Sequence, residues 1–290
     1  ATMALDAGLC DVALIVYGSN QRTASGRLVT ASRPPAYEAP YNPRYPISAY
    51  AMAAARHMHE YGTTREQLAD VAVAARAWAQ RNPEAFERGP LTREDVLGAR
   101  MVGDPLTVRD CCLVTDGGGA IVMVHADRAR DFPKAPVYVL GSAAESSHRQ
   151  ISQMKDFTVT AARASGARAF AAAGVTPADI QAVELYDAFT INTILFLEDL
   201  GFCAKGEGGA FVEGGRIAPG GVLPVNTNGG GLSCVHPGMY GIFTVIEAAR
   251  QIRGDAPGIQ LKDIDLALAH GNGGVLSSQG TAILGSQNTL

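Results

Sequence analysis

The chain has 290 residues, with 24 Lys and Arg against 28 Asp and Glu, a formal charge of -4 and a pI of about 5.9, so it offers no basic field to hold a nucleic-acid backbone. Its longest apolar runs, such as residues 12–17, fall short of the roughly 20 residues that span a bilayer, and no charged-then-apolar leader opens it, which predicts a cytoplasmic protein without membrane contact. Five cysteines, at 10, 111, 112, 203 and 234, form neither a disulfide framework nor a CxxC pair, and the six histidines lack zinc-site spacing, so reduced thiols and no metal are expected.

Residues 3–7 read as the end of a helix with Gly8 as its C-cap, followed by the continuous apolar run 10–17 of a buried strand. The chain thus opens inside a helix, and a segment upstream of Ala1 is expected. Between Ser19 and Arg109 the strand and helix alternation gives way to an insertion. It begins with proline-rich loop chemistry at Arg33-Pro34-Pro35 and 41–46 and continues as helices over 47–61, from the capping box Thr64–Gln67 to about Ala79, and from Thr92.

Strands follow at 111–114, 120–124 and 137–140, with Asp116-Gly117-Gly118-Gly119 as a plain turn. An Ala-rich helix over 159–173 stops at Gly174, Thr176-Pro177 caps a short helix, and a strand follows at 182–185. After a Gly-rich stretch, His236-Pro237 opens a helix ending near Arg253-Gly254, and strands at 264–269 and 282–284 close the chain. The strand that begins Asp11-Val-Ala-Leu and ends Tyr17-Gly-Ser-Asn20 recurs as Asp265-Leu-Ala-Leu ending His270-Gly-Asn272. Each is followed by a second strand, after about a hundred residues in one case and about ten in the other, the arithmetic of a duplicated α/β unit with one insertion.

Three polar sites fall at strand ends or helix starts, where open α/β sheets place their chemistry. Tyr186-Asp187-Ala188-Phe189 ends a strand, and taken alone it reads as a junction with Asp187 as N-cap. The stretch from Asn226 through Asn228, Gly229, Gly230, Gly231 and Ser233 to His236-Pro237 lets backbone approach a ligand and presents an imidazole at a helix N-terminus, where the dipole favours a neutral base. His270-Gly271-Asn272-Gly273-Gly274 supplies amide donors for an oxyanion and a proton-transfer group, with a tight turn as the alternative. Cys234 lies two residues from His236 and reads as a buried spectator thiol rather than an activated one.

Together these residues resemble the thiolase superfamily, in the branch of acetyl-CoA acetyltransferases, sterol-carrier-protein-type thiolases and lipid-transfer proteins. Asn228 through His236-Pro237 is similar to the loop ending Gly-His-Pro, Tyr186–Phe189 to the Asn-Glu-Ala-Phe motif, and His270–Gly274 to the C-terminal Cys-x-Gly-Gly-Gly segment. Val235, Tyr186, Asp187 and His270 depart from those patterns.

The resemblance implies an α/β fold of two similar βαβαβαββ halves in five layers. Residues 1–135 would form the first half, incomplete at its start and carrying a loop domain at about 20–110 over the CoA site, and residues 136–290 the second. It implies an acyltransferase acting on β-keto or β-hydroxy acyl-CoA by carbon–carbon cleavage or Claisen condensation, with the CoA thioester as substrate and no bound cofactor. His236, His270, Tyr186 and Asp187 would be catalytic, His236 stabilising the enolate oxygen and His270 moving a proton at the α carbon, while Asn228, Gly229, Gly230, Ser233, Asn272, Gly273 and Gly274 would bind substrate and the oxyanion. A second reading is retro-aldol cleavage without a nucleophile, Tyr186 as base and Tyr240 a weaker candidate, with a small OB-fold/zinc-ribbon partner. A third is a non-catalytic acyl-CoA or lipid carrier. A homodimer is implied in each case.

Overall fold

The computed structural model describes residues 1–25 and 35–290; the Arg33-Pro34-Pro35 loop reading lies largely outside them. Short helices α1 (Thr2–Asp6) and α2 (Gln21–Ser25) flank strand β1 (Val12–Ser19). The insertion carries α3 (Ile47–Tyr61), α4 (Arg65–Ala79), α5 (Arg93–Leu97) and the small strands β2 (Met101–Gly103) and β3 (Leu106–Thr107). Then come β4 (Gly117–Val124), β5 (Tyr138–Ser146), α6 (Ala162–Ala173), β6 (Ala182–Leu185), α7 (Thr190–Asp199), α8 (Gly208–Val212), α9 (Gly241–Arg253), β7 (Leu266–Gly273) and β8 (Ser278–Gly285).

Local chemistry sets many of these boundaries. Thr64 and Gln67 close a reciprocal capping box at the start of α4, and Thr92 does the same with Asp95 for α5. Gly62, Gly174 and Gly254 end α3, α6 and α9 in the left-handed conformation.

From β5 onward the order is β5-α6-β6-α7-α8-α9-β7-β8, with Val225 bridging Val183 in parallel where a third strand of a βαβαβαββ half would stand. The sheet order is β5-β8-β7-β6, only β6 and β7 being parallel. In β6, β7 and β8 residues alternate between two faces. Val183, Leu185, Leu268 and Ile283 pack with Ile194 and the rest of the large core, whereas Ala182, Ala267, Ala269 and Leu284 meet Val245, Ala248 and Ile252 of α9. Small residues on the α9 side let that helix lie close.

β1 and β4 form an antiparallel pair, Tyr17 opposite Gly119, the counterpart of β7 and β8. Here the turn expected at 117–119 is instead the beginning of β4. A Cβ at Gly117 would stand 2.8 Å from the Val235 side chain and one at Gly119 2.6 Å from Ile246, so Gly117 admits the segment before His236 and Gly119 admits α9 against the strand. The same helix therefore packs on both sheets. Residues 111–114 are not a strand, but Cys111 makes one antiparallel bridge with Phe189. The helix expected from Pro237 starts only at Gly241.

The insertion joins the main core, with Leu68, Val71 and Tyr50 part of one cluster with α7. Its firmest attachment is polar and buried. His57 of α3 faces Glu198 of α7 at 3.0 Å and Thr63 Oγ1 at 2.7 Å, while Lys205 holds the other Glu198 oxygen at 3.0 Å. Removing one member of such a network leaves its partners desolvated and unpaired, so Glu198→Ala is expected to lose about 3–5 kcal/mol of unfolding free energy. Denaturant titration checks this, and a loss below about 1 kcal/mol would remove the cluster as the anchor of the insertion.

Candidate active site

A cavity of about 560 Å³, within the range of small-molecule sites, opens between β1, the insertion, the start of α9 and the β7–β8 hairpin. Its wall contains Tyr186, His236, Asn272, Gly273 and Gly274 from the sequence candidates, together with Tyr17, Tyr50, Cys112, Phe189 and Gln279. Apolar side chains of Ile15, Val16, Pro46, Met239 and Ile242 complete much of it, and no Asp, Glu, Lys or Arg is among the lining residues described.

Tyr186 follows the last residue of β6, and its amide donates to the His270 carbonyl, which continues the β6–β7 pairing and points the ring into the cavity. Its hydroxyl lies 3.2 Å from His236 Nε2, with the two rings edge to face and their centroids 5.6 Å apart. The His236 backbone is clamped by Thr115, whose Oγ1 accepts its amide at 3.0 Å and whose own amide donates to its carbonyl. Tyr17 adds a hydroxyl donated to the Pro237 carbonyl at 2.6 Å.

Burial lowers the His236 pKa to about 4, so the imidazole is neutral near pH 7. The expected helix dipole is not the cause, because α9 begins five residues downstream. Desolvation pushes the Tyr186 phenol well up, so it stays protonated. A protonated phenol can donate to Nε2 of a neutral imidazole in the tautomer that carries the ring proton on Nδ1.

Asp187 does not reach the cavity, nor does it cap a helix. Its carboxylate accepts the amides of Gly231 at 2.6 Å and Leu232 at 3.4 Å, pinning a single π-helical turn, Gly230–Cys234. Gly229 and Gly230 have φ of 106° and 65°, and a Cβ on Gly230 would overlap the Asp187 carboxylate. Asn228 is likewise structural, its Oδ1 accepting Gly230 N at 2.7 Å and the Tyr240 hydroxyl at 2.9 Å. Ser233 is buried and accepts from Arg76 Nε at 2.9 Å. Asn228, Gly229, Gly230 and Ser233 thus build the loop that delivers His236 and lie outside the cavity wall. Tyr240, fully buried with its hydroxyl on Asn228, lies outside it too, and Cys234 is a buried thiol with its pKa raised by desolvation to about 12.

His270 departs most from expectation. Its ring is fully buried behind the hairpin, Nδ1 2.9 Å from Thr281 Oγ1 and Nε2 3.0 Å from Gln279 Oε1, with Phe196 packed at 4.7 Å. The backbone just after it, Gly271–Gly274, faces the cavity in its place. His236 and His270 therefore do not converge as two imidazoles on one ligand.

Behind the loop lies a buried acid pair. Thr227 Oγ1 bridges Glu184 at 2.8 Å and Glu247 at 2.6 Å, and desolvation, followed for Glu184 by the nearby Glu247 charge, raises both carboxyls. Desolvation also raises Asp187 from 3.8 to about 7. A carboxyl with a raised folded-state pKa contributes stability that is complete below its unfolded pKa and lost as pH rises through the folded one. Melting temperature should therefore fall from pH 5 to 8, and Asp187→Asn should reduce that fall; an identical slope in the variant would place the titration elsewhere.

The model of the family described as Thiolase C-terminal domain-like matches residues 143–286. An acetyl-CoA acetyltransferase of Methanothermobacter thermautotrophicus is 44% identical over 229 residues, 78% of this chain and 60% of the relative, so the chain spans about three fifths of that protein's length. A steroid side-chain-cleaving aldolase of Thermomonospora curvata is 36% identical over 270 residues, 88% of this chain and 68% of the relative. The solved structure titled Ltp2-ChsH2(DUF35) aldolase superposes with a TM-score of 0.88 at 34% identity, covering 99% of this chain and 76% of the other. With two faces of one sheet buried by α9 and the α6–α7 layer, a matching strand pair in the first half, and these relatives, the chain belongs to the thiolase superfamily.

Proposed function

We propose that this protein is a thiolase-like enzyme that breaks the carbon–carbon bond between the α and β carbons of a β-oxygenated acyl-CoA, and that a β-hydroxyacyl thioester is cleaved by a retro-aldol step. The observation that carries this reading is the Tyr186–His236 pair in the cavity wall. As the β-hydroxyl gives its proton to the Tyr186 oxygen, Tyr186 passes its own to His236 Nε2. The β carbon becomes a carbonyl, the Cα–Cβ bond breaks, and its electron pair forms the thioester enolate. Return of the proton through Tyr186 to Cα then leaves an aldehyde or ketone and a shortened acyl-CoA, so no further reactant is needed. Main-chain donors of Gly273 and Gly274 would face the enolate oxygen.

The absence of charged side chains from the described wall favours a neutral, apolar acyl group. Acyl transfer through a cysteine is the second reading, supported by the 44% identity with an acetyltransferase. Such transfer requires a thiolate, whereas burial keeps Cys112, the thiol in the cavity wall, protonated.

The aldolase superposition supports a DUF35-type partner. On one face of the β1–β4 pair, Leu14, Val16 and Val122 are more than half exposed, which supports an assembly surface for such a partner or for a homodimer. No helix among the described residues is long and apolar enough to cross a membrane, and a CoA thioester substrate fits a cytoplasmic location.

The full-length protein, incubated with a 3-hydroxyacyl-CoA, is expected to release a carbonyl product without added CoA. A strict requirement for free CoA with a covalent acyl-enzyme in the mass spectrum would instead establish acyl transfer, and unchanged ligand would indicate a carrier. Tyr186→Phe and His236→Ala should each lower kcat about 10²–10⁴-fold. Because His236 is lowered to about 4, the acid limb of kcat/KM should lie near pH 4, with no break at the ordinary histidine value of 6.5.

A further inference from the structure

The polar groups behind the cavity form one directional chain. His270, buried and with its pKa lowered by desolvation to about 4, is neutral and carries a single ring proton. Gln279 Nε2 donates to Asn272 Oδ1 at 2.8 Å, which leaves Gln279 Oε1 as the acceptor facing His270 Nε2 at 3.0 Å; the ring proton therefore sits on Nε2, and Nδ1 accepts from Thr281. Asn272 Nδ2 then donates to the Tyr50 hydroxyl at 2.9 Å. Each donor polarises the next, and the whole row points from the sheet toward the cavity.

The chain ends on an oxygen that is already an acceptor. Tyr50 comes from α3 in the insertion, its ring stacked on Phe189 with centroids 4.3 Å apart, and both rings line the cavity. Burial pushes the phenol up to about 12, so it keeps its proton. Its other hydrogen-bonding neighbours, the Leu276 backbone and the Asn192 side chain, lower the phenol's pKa, as donors to its oxygen do, and the buried Asn192 Oδ1 has no hydrogen-bond partner.

Resting on the acyl-thioester reading above, we propose that Tyr50 is a substrate-binding donor whose hydroxyl proton is held for the β-oxygen of the acyl group, and that His270, Gln279 and Asn272 are positioning residues that fix the direction of that donor. A row of amides ending on the phenol oxygen leaves it one role, donation. A β-hydroxyl or β-keto oxygen accepts such a bond, whereas a saturated acyl chain presents nothing to it. The insertion thereby reads the oxidation state of the acyl chain.

The test compares 3-hydroxyoctanoyl-CoA with octanoyl-CoA by calorimetric titration of the full-length protein. Tyr50→Phe, which retains the stacked ring, should weaken the hydroxylated ligand about tenfold and leave the saturated one unchanged. Asn272→Asp should reproduce that selective loss with Tyr50 intact, because a carboxylate accepts the phenol proton and turns it away from the ligand. Equal weakening of both ligands, or of neither, in Tyr50→Phe would overturn the assignment. Should Tyr50→Phe fail to fold, full retention of the hydroxyl preference in Asn272→Asp would overturn it as well. Wild-type protein that binds neither CoA ester would overturn the acyl-thioester reading itself and the inference with it.

Discussion

The geometry of the site depends on one buried carboxylate. Asp187 leaves the end of β6 and accepts two amides of the glycine loop, which forces that loop into a single wide turn and brings His236 back over the preceding residue, Tyr186. The loop tolerates this only because Gly229 and Gly230 adopt positive φ and lack side chains where Ala79 and Asp187 approach. Burial then acts twice, keeping the phenol protonated and the imidazole neutral, so that the phenol can donate to the imidazole.

A second constraint comes from α9. Glycines in β4 and alanines in β6 and β7 allow it to pack on both strand systems, and its first turn, with Gly241 and Ile242, also forms part of the cavity wall. The insertion closes the cavity from the other side and is tied down by the His57–Glu198–Lys205 cluster, whose members lie outside the cavity wall. Site and scaffold are thus the same contacts viewed from two ends.

Much of this was legible in the residues themselves. Strand and helix order, the Thr64 and Thr92 caps and the terminal glycines follow from local chemistry, which acts over a few residues. His236, Tyr186 and Asn272–Gly274, which line the cavity, stand out in the sequence because polar residues and glycines at strand ends are costly without a purpose. At the site, the differences come from partners on other elements. His270 has the residue type of an acid–base group, but Gln279 and Thr281, at alternate positions on the neighbouring strand, satisfy both its nitrogens. Asp187 has the residue type of a cap, but its partners lie more than forty residues away. Tyr50 gave no signal at all, because on the buried face of an amphipathic helix a tyrosine looks like core, and only the contact with Asn272, 222 residues on, separates it from one.

The two sides of the cavity differ in how freely they can change. Ile242 is wedged near Gly119, where a larger side chain would push α9 off β4. Met239 and Ile15 also border the cavity, yet they are 56% and 38% exposed and bear on no second sheet in this way. Among descendants of this sequence the shape of the cavity can therefore change most freely at positions 15 and 239, while the wall built on α9 and β4 stays constant.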